Sequence, residues 1–261
     1  MTPRLFHLKF MPNKTYFRAL QLLNLYRKKE YVRFIEFRDF TNKAAILTRK
    51  ALKEIHEKRL TILTNLNEVK VSFKAMEHHE RVIHLRIALE KNPTFTDLLW
   101  VSDFEMACGI EPALKFKYRN LSVEERIVSD RKFRPKKTGK GYKKRIPDGY
   151  FEAIRNGLVE AYVFEYENSK YSFGQIKDVV VKLEKDYPTA RKLIVSRTAE
   201  NAARMNNAIW YFMHESKFAQ RGGRPSLWFT TDYDHALSKT LETNFRKLRN
   251  PNQESKASDK P

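Results

Sequence analysis

K-K-R-I-P-D-G-Y-F-E-A-I-R-N-G-L-V-E-A-Y-V-F-E-Y-E-N-S-K, residues 143–170, is the stretch on which the reading of this chain turns. Asn156-Gly157 is the strongest short turn signal present, because both residues tolerate the positive φ of a type I′ turn. Ile146, Tyr150, Phe151 and Ile154 precede it, and Leu158, Val159, Tyr162, Val163 and Phe164 follow. That pattern predicts a β-hairpin. A two-residue loop fixes the register, so Arg155 faces Leu158. Stepping outward puts Asp148 opposite Glu165. Directly opposed side chains have Cβ atoms about 4.5–5.5 Å apart. Glu167, two residues beyond Glu165, shares its face.

Three carboxylates are thus expected at one end of one hairpin face. Like charges that close need a shared cation or shared protons. An oxygen-only cluster suits Mg²⁺ or Mn²⁺. The plainer alternative is that Pro-Asp-Gly opens a turn and Glu165 and Glu167 sit on a solvated strand. A bulge in the hairpin would also break the register.

The remaining composition narrows the class. The chain has 261 residues, 41% hydrophobic and 13% aromatic. That is enough for one large or two small domains with a real core. The net charge of +20 points to a polyanionic partner, nucleic acid before membrane. One cysteine, Cys108, excludes an internal disulfide framework and a cysteine-based zinc site. No apolar run reaches membrane-spanning length, and M-T-P-R-L-F-H shows no signal-peptide apolar region. A cytoplasmic protein without membrane insertion is expected.

Upstream of the hairpin, residues 15–29 carry a helical stripe of Tyr16, Phe17, Leu20, Leu23 and Tyr26. Residues 31–40 are short and mixed. Residues 42–58 read as a helix, with Ala45, Ile46, Leu52 and Ile55 inward and Lys43, Arg49, Lys50 and Lys53 outward. Residues 60–73 then alternate as a short β-ribbon. Helix, short helix, helix, ribbon is the order of a winged helix, whose second long helix would lay those basic residues in a DNA groove. Three amphipathic helices and a hairpin also build many other small domains. On the next helix, 75–91, His79, Glu80 and His84 fall near one another. No metal-binding histidine pattern accompanies them, so partly buried structural histidines are the simpler reading. Residues 95–101 read as a strand, and Ser102-Asp103 caps a short helix.

The basic run R-K-F-R-P-K-K-T-G-K-G-Y-K-K-R, residues 131–145, reads as a loop. It precedes Asp148 directly. Arg134, Lys136, Lys137, Lys140, Lys143, Lys144 and Arg145 could hold a polyanion against the carboxylates, or could simply be a solvated charge run. Beyond the hairpin, residues 173–185 are helical and 192–196 form a buried strand. Thr198 caps a helix over 199–214, 227–231 is a strand, and 235–248 a last helix. That alternation suggests an α/β layer. The tail from 249 to 261 is expected to be disordered.

A helical Glu80, a strand, Pro147-Asp148, then Glu165-Tyr166-Glu167 on the next strand and a lysine-bearing helix: that order resembles the PD-(D/E)xK nuclease superfamily. More closely, H-H-E-R-V-I-H-L-R-I-A-L, I-P-D-G-Y-F, V-F-E-Y-E and V-K-L-E-K-D-Y-P-T-A-R-K-L-I-V resemble the replication-relaxation family and the MobC-type plasmid relaxases. The resemblance implies an α+β chain: a winged helix-turn-helix domain over 1–72, then a restriction-endonuclease-like α/β core over 73–248. It implies a metal-dependent endonuclease that nicks plasmid DNA at a transfer origin, with Mg²⁺ or Mn²⁺ on Asp148 and Glu165, joined by Glu167 or Glu80. A type IV secretion coupling protein or relaxosome accessory protein would be its partner. Glu167 stands where the superfamily usually has Lys, so the positive charge would come from Lys170, Lys177 or Lys182. The His-hydrophobe-His motif of tyrosine relaxases is absent, and no covalent tyrosyl intermediate is expected. A non-catalytic plasmid replication or relaxosome DNA-binding protein, and a restriction- or repair-type nuclease, are the alternatives.

Overall fold

The computed structural model describes residues 3–37, 40–58, 73–107, 110, 114–115, 117, 120–122, 125, 145–168, 170–214, 228–237 and 246–247. They fall into two compact units. One lies within Met1–Ile87 and Cys108–Lys137, the other within Ala88–Ala107 and Thr138–Pro261. The protein is mixed α+β.

In the first unit, helix α1 (Pro3–Phe10) leads to α2 (Tyr16–Lys28). Thr15 begins α2 as expected, its side chain accepting the Arg18 amide, which satisfies one of the orphan donors of a helix start. Strands β1 (Val32–Phe37) and β2 (Phe40–Leu47) then pair antiparallel, with an irregularity between Ile35 and Phe37. This corrects the helix expected over 42–58. Residues 42–47 are strand, and α3 begins only at Arg49 and runs to Glu57. Val32, Arg33, Phe34 and Ile35 offer a β-prone partner for Ala44–Leu47, and cross-strand pairing outweighs a short helical spacing. Thr48 marks the switch: its hydroxyl accepts the Ala51 amide. The expected ribbon over 60–73 lies outside the described residues except for Phe73, which opens helix α4 (Phe73–Glu90).

The second unit is built on a six-stranded sheet in the order β3-β4-β5-β6-β7-β8. Strands β3 (Thr96–Ser102), β4 (Gly149–Arg155) and β5 (Leu158–Glu167) form an antiparallel meander. Strands β6 (Arg191–Ser196) and β7 (Trp228–Asp232) continue parallel to β5. Parallel neighbours need crossovers. Helix α6 (Phe173–Asp186) supplies the first and α7 (Ala199–His214) lies between β6 and β7. The short helices α5 (Asp103–Ala107) and α8 (Tyr233–Leu237) follow β3 and β7. Strand β8 (Arg246–Lys247) pairs antiparallel with β7, so the helix expected to reach 248 does not include these two residues.

The hairpin register is the one expected: Arg155 faces Leu158 and the ladder runs unbroken to Gly149 opposite Phe164. Asn156 and Gly157 have φ of 51° and 77°, the left-handed pair that a type I′ turn requires. One face of the sheet receives α6 and α7. Val163, Ile194, Ile176, Val180, Leu183, Met205, Ile209 and Phe212 are buried together there. The stripe of α6 is the one read from sequence, with Ile176, Val179, Val180 and Leu183 inward. The opposite face of the meander is aromatic. Trp100 stacks on Phe151, and Phe151 on Tyr162 at 4.7 Å.

Candidate functional site

Asp148 stands one step beyond the end of β4. The ladder stops at Gly149, and Asp148 Oδ2 accepts the Tyr166 amide at 2.7 Å, taking the place of a strand partner. Gly149 fixes this corner. The Trp100 ring lies so close that a Cβ on Gly149 would come within 2.1 Å of it, which only a residue without a side chain permits. Pro-Asp-Gly therefore serves as the seat of a strand end and not as a free turn.

Glu165 lies on the next strand, 6% exposed. Arg145 Nε donates to its Oε1 at 2.8 Å. Arg145 itself is pinned at both ends of its backbone. Its amide donates to Asp186 Oδ2 at 2.7 Å, and its carbonyl accepts the Tyr187 hydroxyl at 3.0 Å. Burial opposes the guanidinium charge, and the Glu165 carboxylate, helped by Tyr171 and Asp148, outweighs it and drives the pKa upward. The Arg145 Nη groups make no hydrogen bond among the described residues.

Tyr171 joins the same group. Its phenol is pushed up to about 12, first by burial and then by Glu165 and Asp148, with Arg145 opposing. An anion placed among carboxylates is disfavoured, so the phenol stays protonated. Asp148, Glu165, Arg145 and Tyr171 thus share one electrostatic neighbourhood, assembled from the residues before β4, from β5 and from the turn into α6.

Glu167 lies on the same face but is otherwise engaged. Ser196 donates to its Oε2 at 2.6 Å, and the Tyr171 amide and Arg204 Nη2 donate to its Oε1 at 2.9 and 3.1 Å. Arg204, on α7, also donates to the Tyr171 carbonyl. A carboxylate this enclosed needs such partners, since an unpaired buried charge is costly. The cation beside Glu167 is Arg204, and the cation on Glu165 is Arg145. Lys170, Lys177 and Lys182 are all exposed. Among the described residues, none of the three hydrogen-bonds to these acids. Nothing in the local sequence marked Arg204, since pairing 37 positions apart leaves no local signal. Arg145 had been read only as part of the basic run.

Glu80 and the histidines His79 and His84 lie half-buried on the part of α4 that belongs to the first unit. Among the described residues no group of three His, Cys, Asp or Glu could hold a metal ion. Arg49, Lys50 and Lys53 are exposed on α3 as expected, and Lys43 lies on β2. Lys50 pairs with Glu30 and Lys53 with Glu57, contacts worth little at a surface. Arg134, Lys136, Lys137, Lys140, Lys143, Lys144 and the tail from 249 lie outside the described residues, as does Cys108.

The donor set at Asp148 and Glu165 fits a hard cation. Mg²⁺ keeps several waters and commonly takes only one or two carboxylates together with substrate phosphate. Asp148, just before β4, and Glu165, on β5, offer oxygen donors of that kind, Glu165 while also accepting from Arg145, whereas Glu167 is committed to Arg204 and Ser196.

Fold and site together define a mixed α+β protein with two acids, Asp148 and an arginine-paired Glu165, at the end of a β-meander. Comparison with protein-family models, with curated proteins and with solved structures gives no match for this chain. No described helix is long and apolar enough to cross a membrane.

Proposed function

We propose that the chain is a metal-dependent DNA endonuclease with a PD-(D/E)xK-like core, which nicks plasmid DNA at a transfer origin. The observation that carries the reading is the meeting of Asp148 and Glu165 at one end of the meander, with Arg145 bridged to Glu165. The order α4, antiparallel β3-β4-β5, α6, parallel β6 supports the same core. The transfer origin and a type IV coupling or accessory partner rest on the sequence resemblance.

Asp148 and Glu165 would hold Mg²⁺ or Mn²⁺. When bound, the ion lowers the pKa of a water and offsets charge on the scissile phosphate. The protein's own groups do the rest. The Tyr166 amide fixes the Asp148 carboxylate in place. Arg145 keeps Nε on Glu165 and offers its remaining N–H donors to a phosphate, where a preorganised guanidinium stabilises developing negative charge. This assigns to Arg145 the role expected of a lysine. The basic run before it, together with Arg49, Lys50 and Lys53, would grip the DNA backbone, and the first unit would serve as the docking module.

The test is supercoiled plasmid, with and without a candidate transfer origin, incubated with Mg²⁺ or Mn²⁺. The wild-type chain should produce a strand-specific nick. Asp148→Ala should abolish it and leave duplex binding near normal. Equal nicking by the variant would remove the site. A second reading follows from the ion pairs themselves. Both Glu165 and Glu167 already carry an arginine, as suits a non-catalytic DNA-binding protein of plasmid replication or the relaxosome. Retained origin binding with no nick under any divalent ion would select it.

A further inference from the structure

The second unit carries an aromatic surface that the cleavage reading does not use. Phe173, the first residue of α6, is 54% exposed, and Tyr211 on α7 is 42% exposed. Their rings meet at 5.8 Å, and Phe173 rests on the buried Phe212 at 4.7 Å. Phe212 is the seat, and the other two rings face out. Beside Tyr211 in sequence, the half-buried Trp210 stacks on the exposed His214 at 4.8 Å.

The place of these rings matters more than their exposure. Phe173 is two residues beyond Tyr171, whose phenol interacts with Asp148 and Glu165. Arg204, which holds Glu167 and the Tyr171 carbonyl, is seven residues before Tyr211 on α7, about 10 Å along the helix axis. Phe173 thus follows Tyr171 closely in the chain, and Tyr211 shares α7 with Arg204. Exposed Lys170 and Lys177 flank Phe173, and the chain carries a net charge of +20. That charge attracts a polyanion, but phosphates have no need of rings. A duplex keeps its base faces stacked inside, and only an unpaired base presents a face to an aromatic side chain.

We infer that Phe173 and Tyr211 form a stacking platform for unpaired bases of a DNA strand whose phosphates reach Arg145. The inference deepens the nuclease reading and rests on it for the site being a DNA site. It makes the substrate a locally melted or single strand. Aromatic stacking tolerates any sequence, because every base has a π-face.

The experiment is fluorescence anisotropy on the full chain in the presence of EDTA, so that cleavage plays no part. Three probes are used: a short oligothymidylate, an abasic oligomer of equal length, and a blunt duplex. The wild-type chain should bind the oligothymidylate about fivefold or more tighter than the abasic strand. Tyr211→Ala and Phe173→Ala should each erase most of that difference and leave abasic and duplex binding unchanged. Tyr211→Phe and Phe173→Trp should preserve it. Phe173 rests on the buried Phe212, so Tyr211→Ala decides the matter if Phe173→Ala fails to fold. Equal binding of abasic and thymidylate strands would overturn the inference. So would variants that leave the preference intact or weaken all three probes alike. A chain that reads bases through these rings but never nicks keeps the inference and loses the nuclease reading. A chain that nicks without any preference for bases does the reverse.

Discussion

At the scale of single residues, Glu167 and Arg204 show how a buried charge is accommodated. Glu167 is 1% exposed, and its oxygens are shared among Ser196, the Tyr171 amide and Arg204. Removing one member of a buried pair strands the other, at a cost of about 3–5 kcal/mol. Arg204→Ala should lower the unfolding free energy from chemical denaturation by an amount in that range, whereas a surface change such as Lys53→Ala should be close to neutral. Tyr171 supplies a pH signature. Its phenol titrates near 12 in the fold against an ordinary value of 10. A folded pKa raised above the unfolded one gives stability that is complete below pH 10 and disappears as pH climbs through about 12. Tyr171→Phe should flatten that part of the stability profile relative to the wild-type chain. The acids of the site were legible in the sequence, because a two-residue turn counts them into register. Their cations were not. Arg145 and Arg204 reach Glu165 and Glu167 from 20 and 37 positions away, and only tertiary structure supplies such pairings.

At the scale of elements, the hairpin was legible because Asn156-Gly157 admits one backbone geometry and hence one pairing. The segment 42–58 was not, because A-A-I-L suits a helix face or a strand equally. Its fate was set by a partner strand, Val32–Ile35, that local periodicity does not weigh. Thr48 was the available signal: a threonine whose hydroxyl accepts the amide three residues on announces a helix start at Arg49. Gly149 is a second case. In isolation Pro-Asp-Gly suggests a turn, yet the glycine exists for the Trp100 ring. Gly149→Ala should force that indole out of its stack with Phe151. Overpacking of this kind costs about 1–3 kcal/mol, and the near-ultraviolet circular dichroism of the aromatic layer should change with it. Because Asp148 hangs from the same corner, the variant should also, if the proposed cleavage holds, weaken nicking more than it weakens duplex binding.

At the scale of the whole molecule, charge sets the terms of any encounter with DNA. If the run 131–145 and α3 grip phosphates, log affinity should fall linearly with log salt, each contact adding about 0.9 to the slope. The double variant Lys136→Ala, Lys137→Ala should then lower the slope by about two units in filter-binding or anisotropy titrations, without altering which sequence is preferred. An unchanged slope would return the run to the status of a solvated surface. Composition raised the expectation of a polyanionic partner, but it could not divide the chain. The boundary between the two compact units falls inside α4, between Ile87 and Ala88, where an uninterrupted helical pattern offers no break in sequence.

Arg145 ends the basic run, and its main chain is fastened on one side to Asp186 and on the other to the Tyr187 hydroxyl while its guanidinium grips Glu165. Such an arrangement works as a moored line. Losing either mooring, the Asp186 carboxylate or the Tyr187 hydroxyl, would therefore slacken the guanidinium on Glu165 although neither ionic partner had been touched.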